Sequence, residues 1–77
     1  TTLKNHMDSL EQALAEKDSL LTGKAAHTIK GAFLNLGLCE CAERARAIEE
    51  AGKAGGKIED LTYRVRELRL QLNGILA

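Results

Sequence analysis

Hydrophobic residues recur along this chain at the spacing of an amphipathic α-helix. In the first segment, Leu3, Met7, Leu10 and Leu14 follow one another at intervals of four, three and four residues. Residues with this spacing lie on one face of a helix, where they can be buried together. The pattern predicts a first helix over about residues 2–16.

A second helix is predicted over about residues 18–36, with residue types suited to its two ends. The carboxylate of Asp18 can accept hydrogen bonds from the free amides of the first turn. Gly37 can adopt the positive φ that ends many helices. The face expected to be buried carries Leu21, Ala25, Ile29, Ala32 and Leu36.

The remainder of the chain predicts two more helices, over about residues 38–54 and 58–76. Two consecutive glycines, Gly55 and Gly56, separate them. The fourth segment has the most regular alternation of apolar and charged residues, and the arginines between its apolar positions are expected to face solvent. Its apolar positions are Leu61, Val65, Leu68, Leu72 and Ile75.

Four helices of about 15–19 residues joined by very short connections restrict the possible architectures. Short connections place consecutive helices side by side in opposite directions. We therefore expect an all-α protein, an antiparallel up-down-up-down four-helix bundle, with residues 1–77 in a single domain.

Composition excludes several classes of function. Eleven basic and eleven acidic residues cancel among 77 residues, so the basic field of a nucleic-acid-binding protein is not expected. No apolar run approaches the roughly 20 residues that span a bilayer, so we expect a cytoplasmic domain without direct membrane contact. Cys39 and Cys41 are two residues apart, a spacing that favours neither a disulfide nor a metal site.

One histidine lies on the wrong face of its helix for a structural role. On the helical wheel His27 falls opposite the apolar face of the second helix, and should therefore be exposed to solvent. Gly23 and Gly31 stand four residues before and after it, on the same side of the helix. Because neither has a side chain, we expect the imidazole to be open to an approaching group.

The residues around His27 favour phosphoryl transfer between proteins. A neutral imidazole is a nucleophile, and it can form a phosphoramidate. Lys24 and Lys30, three residues to either side, could offset the charge of the phosphoryl group. Leu20 and Leu34 lie seven residues to either side and form an exposed apolar strip against which a partner protein could bind.

Glu49, on the third helix, is a candidate for a supporting role. Its carboxylate could approach the imidazole of His27 from the core side and fix the tautomer of the ring. The alternative is that Glu49 is a solvated side chain in the Glu49-Glu50 pair.

These segments together resemble a known family. The run AHTIKG at residues 26–31, NLG at 35–37 and AIEEAGKAG at 47–55 resemble the histidine-containing phosphotransfer (Hpt) domains of bacterial and eukaryotic phosphorelays. The chain has the family's histidine, a lysine three residues later, a glycine four residues later and a second glycine ten residues later.

The resemblance implies a specific function. His27 would accept a phosphoryl group from the aspartate of a response-regulator receiver domain and pass it to another receiver. Lys30 would stabilise the added charge, and the absence of a side chain at Gly31 would admit the receiver. The family implies no ATPase or kinase activity and no cofactor of its own, since magnesium belongs to the receiver.

Three interpretations remain open from the sequence. The domain could act as a relay intermediate, either as a separate protein or as part of a hybrid sensor kinase, at the cytoplasmic end of a membrane-bound chain. It could be the phosphorylation domain of a chemotaxis-type histidine kinase, with ATP bound by a kinase domain on the same or another chain. It could also be a docking module that is never phosphorylated.

Overall fold

Four α-helices account for most of the chain in the computed structural model, which describes residues 2–76 and the side chains of residues 3–75. The predicted bounds differ from the observed ones by no more than one residue. No described helix is both long enough and apolar enough to cross a membrane. The helices are α1 (Thr2–Ala15), α2 (Ser19–Asn35), α3 (Cys39–Lys53) and α4 (Ile58–Leu76).

The helices pack in the order in which they occur in the chain. Each helix contacts the next one, and α4 returns to contact α1. This arrangement confirms the predicted four-helix bundle. Burial of the apolar stripes of all four helices drives the association. The largest fully buried apolar side chains are Leu10, Ile29, Phe33, Ile48, Leu61 and Leu68.

The buried face of α2 differs from the predicted one by about one position. Leu21 and Leu36 are 40% and 61% exposed, so their assignment to the core was wrong. Thr22 and Phe33 are fully buried in their place. Thr22 can be buried because its hydroxyl donates a hydrogen bond to the carbonyl of Asp18 at 2.8 Å, which leaves no unpaired polar group.

The ends of the helices follow the predicted capping pattern, with one addition. The Asp18 carboxylate accepts a hydrogen bond from the amide of Leu21 at 3.0 Å, and Gly37 and Gly55 both have φ of 75°. The addition is Lys17, which has φ of 58° after α1. In this left-handed conformation the side chain of a lysine is sterically unfavourable, whereas a glycine is not.

Arg69 corrects a further prediction, because it is not simply part of a solvated face. Its Nη2 donates to Glu11 Oε1 at 2.7 Å, and its Nε donates to the other oxygen of the same carboxylate. The hydrogen bonds to Glu11 raise the pKa of the Arg69 guanidinium. This two-pronged ion pair joins α1 to α4 on the side of the bundle formed by the two terminal helices.

Candidate functional site

Two glycines set the distance between α2 and α3. A Cβ atom added to Gly52 would lie 2.6 Å from the carbonyl oxygen of Ser19 and 2.8 Å from the Cα of Gly23. Contacts this short are not available to a real side chain, so the backbones of the two helices can approach this closely only because residue 52 is glycine. Glu49 and His27 lie one turn away from this crossing on their respective helices.

Gly23 therefore has a different role from the predicted one. It was expected to leave space for a partner beside His27, but it is buried. A Cβ atom at this position would lie 3.2 Å from the carbonyl oxygen of Glu49 and 3.2 Å from the amide of Lys53. A side chain here would fit only tightly, so the small residue serves the close packing of α2 on α3, which the sequence pattern of α2 alone did not show.

The imidazole of His27 is exposed on the surface of α2 and held from one side. Its side chain is 64% exposed, in agreement with the position expected opposite the core. Nδ1 lies 2.9 Å from Oε2 of Glu49. No described residue forms a hydrogen bond with Nε2 of His27, which leaves that nitrogen available.

Glu49 is the centre of the site. Its side chain is only 7% exposed, and its carboxylate accepts hydrogen bonds from Lys30 Nζ at 2.7 Å and Lys53 Nζ at 2.8 Å as well as contacting His27. The bonds from Lys30 and then Lys53 lower the pKa of the Glu49 carboxyl to about 2, against the opposing effect of burial. The carboxylate is therefore ionised at neutral pH.

The Glu49 carboxylate determines which tautomer of the imidazole is present. An ionised carboxylate can only accept hydrogen bonds, so Nδ1 of His27 must carry the hydrogen. In the neutral ring the lone pair is then on Nε2. The predicted contact between Glu49 and His27 is thus present in the structure, and it leaves the nucleophilic nitrogen on the unpartnered side of the ring.

Two lysines share the Glu49 carboxylate, and sequence reasoning anticipated only one of them in the site. Lys30 bonds Oε1 and its side chain is 25% exposed, whereas Lys53 bonds Oε2 and is 60% exposed. Lys53 was missed, although its position four residues after Glu49 on one helix was a signal for an ion pair. Lys24 is exposed, and no described side-chain contact joins it to His27 or Glu49.

The remaining predicted residues lie on the outer surface of α2. Leu20 and Leu34 are 60% and 56% exposed. A Cβ atom added to Gly31 would meet no described atom within 4 Å beyond its own stretch of helix. Both leucines are therefore exposed on the side of α2 that carries the imidazole, and their contact with a partner protein stays a prediction.

A comparison with known proteins identifies the family of this chain. The family model of the Hpt domain matches residues 1–77, the whole chain. Neither the curated proteins nor the solved structures gave a match. The family match covers all four helices and the segment around His27. The chain therefore belongs to the Hpt domain family, and its role is phosphotransfer in two-component systems.

Proposed function

We propose that this domain is a phosphorelay intermediate. It accepts a phosphoryl group on His27 from the aspartyl phosphate of one receiver domain and passes it to the aspartate of another. The observation that carries the proposal is the imidazole itself, which is 64% exposed, has no described hydrogen-bond partner at Nε2, and is hydrogen-bonded at Nδ1 to a buried carboxylate. That arrangement suits a nucleophile that acts on a group carried by a visiting protein.

The transfer requires one bond to form and one to break. The lone pair of His27 Nε2 forms a bond to phosphorus, and the bond between phosphorus and the aspartate oxygen breaks, with its electron pair leaving on the carboxylate. Nδ1 keeps its hydrogen throughout, so positive charge develops on the ring. The reverse sequence returns the phosphoryl group to a second receiver.

Glu49 supports this step by its charge and its position. The carboxylate is ionised before the reaction begins, because the hydrogen bonds from Lys30 and Lys53 lower its pKa to about 2. It therefore stabilises the positive charge that develops on the ring of His27, to which it is already hydrogen-bonded. Lys30 holds the carboxylate in place, and its direct contact with a phosphoryl group stays a prediction.

The surface around His27 favours a protein as phosphoryl donor. Small-molecule substrates are usually bound in concave pockets, whereas this imidazole lies on the convex surface of a helix. Leu20 and Leu34 offer apolar contacts on either side of it, and Gly31 leaves room for close approach. Lys24 contributes positive charge at the edge of this surface, suited to the acidic site of a receiver.

All remaining chemistry belongs to the partner proteins. The receiver supplies magnesium, and the domain itself needs no cofactor and binds no ATP. Receivers and the kinases that charge them act in the cytoplasm, so the domain is assigned there, whether it is a separate protein or a module of a hybrid sensor kinase.

The test is transfer of radioactive phosphate from a phosphorylated receiver to the purified domain. We expect acid-labile, base-stable label on the wild-type protein and none on His27→Gln. That variant should remain folded, because the side chain of His27 is mostly exposed. His6→Gln is the matched control, since it removes the other histidine of the chain and should be labelled normally.

A parallel incubation with a histidine kinase domain and ATP separates the relay from the kinase-substrate interpretation. Label that appears only with kinase and ATP would assign the domain to a chemotaxis-type kinase. Receiver binding without any label on the wild-type domain would contradict the proposal and leave a docking module.

A further inference from the structure

The two lysines on Glu49 differ in how firmly they are held. Nζ of Lys30 donates to Oε1 of Glu49 at 2.7 Å, and no other described donor bonds that oxygen. Three quarters of the Lys30 side chain is buried. Lys53 shares Oε2 with His27 Nδ1, and its side chain is 60% exposed. Lys30 is therefore fixed in the site, while Lys53 can move into solvent at little cost.

The charges in the site are not balanced before the reaction. One carboxylate faces two ammonium groups, so one positive charge is in excess while the imidazole is neutral. A second excess positive charge develops on His27 when Nε2 bonds to phosphorus, because Nδ1 keeps its hydrogen. At that point two cationic donors compete for Oε2 of Glu49, and like charges at such short range repel.

Of the two donors on Oε2, only Lys53 can leave. The ring of His27 is joined to α2 through a single methylene group and has little freedom to move, whereas the ammonium of Lys53 is at the end of a flexible four-carbon side chain. The phosphoryl group brings negative charge to Nε2, the other nitrogen of the same ring. Repulsion at Oε2 and attraction to the phosphoryl oxygens therefore act on Lys53 in the same direction.

We propose that Lys53 leaves the carboxylate of Glu49 on phosphorylation and binds the phosphoryl oxygens on His27, while Lys30 stays on Glu49 as a positioning residue. The inference rests on the proposed function, since it requires a phosphoryl group on His27. It makes the exposed lysine of α3, rather than the lysine of the family pattern, the principal cation for the phosphoryl group.

The experiment uses phosphoramidate, a small phosphoryl donor that needs no receiver. The wild-type domain and the variants Lys53→Gln, Lys30→Gln and Lys53→Arg are phosphorylated with it. Phosphorus NMR then follows the half-life of the phosphohistidine and the pH titration of the phosphoryl group. Lys57→Gln is the matched control, an exposed lysine outside the site, and circular dichroism checks that every variant is folded.

We expect Lys53→Gln to shorten the half-life by about two- to fivefold and to raise the pKa of the phosphoryl group by about half a unit, the effects of losing one exposed ion pair. Lys53→Arg should restore both values, and Lys57→Gln should match the wild type. Lys30→Gln should change the phosphoryl titration less than Lys53→Gln does, but should shift the Nδ1 proton signal of His27.

The possible failures have different meanings. Identical phosphoryl titrations in Lys53→Gln and Lys57→Gln, or a larger change in Lys30→Gln, would overturn the inference and leave the proposed function intact. If neither phosphoramidate nor a phosphorylated receiver places label on His27 of the wild-type domain, the proposed function fails and the inference fails with it.

Discussion

Gly52 and Gly23 meet with no side chain between them: a Cβ atom on Gly52 would lie 2.8 Å from the Cα of Gly23. This contact places α3 close enough to α2 for the buried carboxylate of Glu49 to reach His27. The geometry of the site therefore depends on two residues that take no part in its chemistry.

Substituting Gly52 with alanine should disturb both stability and the site. The added methyl group has no space against Ser19 and Gly23, so α3 must move away from α2. We expect a loss of about 2 kcal/mol in the free energy of unfolding, typical of overpacking. Urea denaturation measures this loss, and the NMR signal of the His27 Nδ1 proton reports the weakened bond to Glu49.

Gly31→Ala is the matched control for that substitution. It is also a mid-helix glycine, but a methyl group there meets no described atom within 4 Å beyond its own stretch of helix. Replacing it should stabilise the protein by up to about 1 kcal/mol, because alanine favours the helix more than glycine does. Equal destabilisation by both variants would contradict the assigned role of the Gly52 contact.

A large side chain at Gly31 should separate two kinds of phosphorylation. Gly31→Leu should fold normally, since the position is open, but the side chain would lie one turn from His27 where a receiver has to approach. We expect phosphorylation by phosphoramidate to continue while transfer from a phosphorylated receiver falls by at least tenfold. Normal transfer from the receiver would show that Gly31 does not provide access.

Glu49 should give the folded state a measurable dependence on pH. Its pKa is lowered from 4.5 to about 2, chiefly by the hydrogen bond from Lys30. A carboxyl group with a lower pKa in the folded state stabilises the protein fully above pH 4.5, and this contribution is lost as the pH falls towards 2. We expect the stability difference between wild type and Glu49→Gln to shrink by about 2 kcal/mol between about pH 6 and about pH 3.

Urea denaturation at each pH tests this expectation. Glu50→Gln is the control, because it removes the adjacent carboxylate from α3 at an exposed position. A difference between wild type and Glu49→Gln that stays constant across this pH range would show that the carboxylate is not held by the two lysines.

Lys17→Gly should stabilise the connection between α1 and α2. Lys17 has φ of 58°, a conformation that costs a non-glycine residue about 1 kcal/mol and costs glycine little. We expect a gain of about 0.5–1 kcal/mol, measured as a higher midpoint of urea denaturation. Ser9→Gly, an exposed position within α1, should destabilise the protein instead, because glycine is unfavourable inside a helix.

The number and bounds of the helices were predictable because each has a clear apolar period and a recognisable end. The burial of α2 was less predictable, because leucines occur on several of its faces. Leu21 and Leu36 suggested one buried stripe, whereas Thr22 and Phe33 mark the actual one. The hydroxyl of Thr22 bonds within its own helix, so the burial of this polar side chain costs little.

Features of the site that are set by a single helix were predictable from the sequence. Features that are set by the packing of two helices were not. The exposure of His27 followed from the period of α2, and its contact with Glu49 was anticipated as a possibility. The burial of Gly23 and the presence of Lys53 depend on how α3 crosses α2, which no single-helix pattern contains. Similarly, the pattern of α4 alone predicts that Arg69 is a surface charge, whereas in the fold it pairs with Glu11 of α1.

His27, Glu49, Lys30 and Lys53 all belong to a single hairpin of two helices, and the crossing at Gly23 and Gly52 fixes the distance between its arms. The outer pair, α1 and α4, supplies hydrophobic cover and an ion pair but none of these groups. Sequence changes in α1 and α4 can therefore accumulate without altering the chemistry at the imidazole. The same two helices can be engineered to attach the module to different signalling proteins.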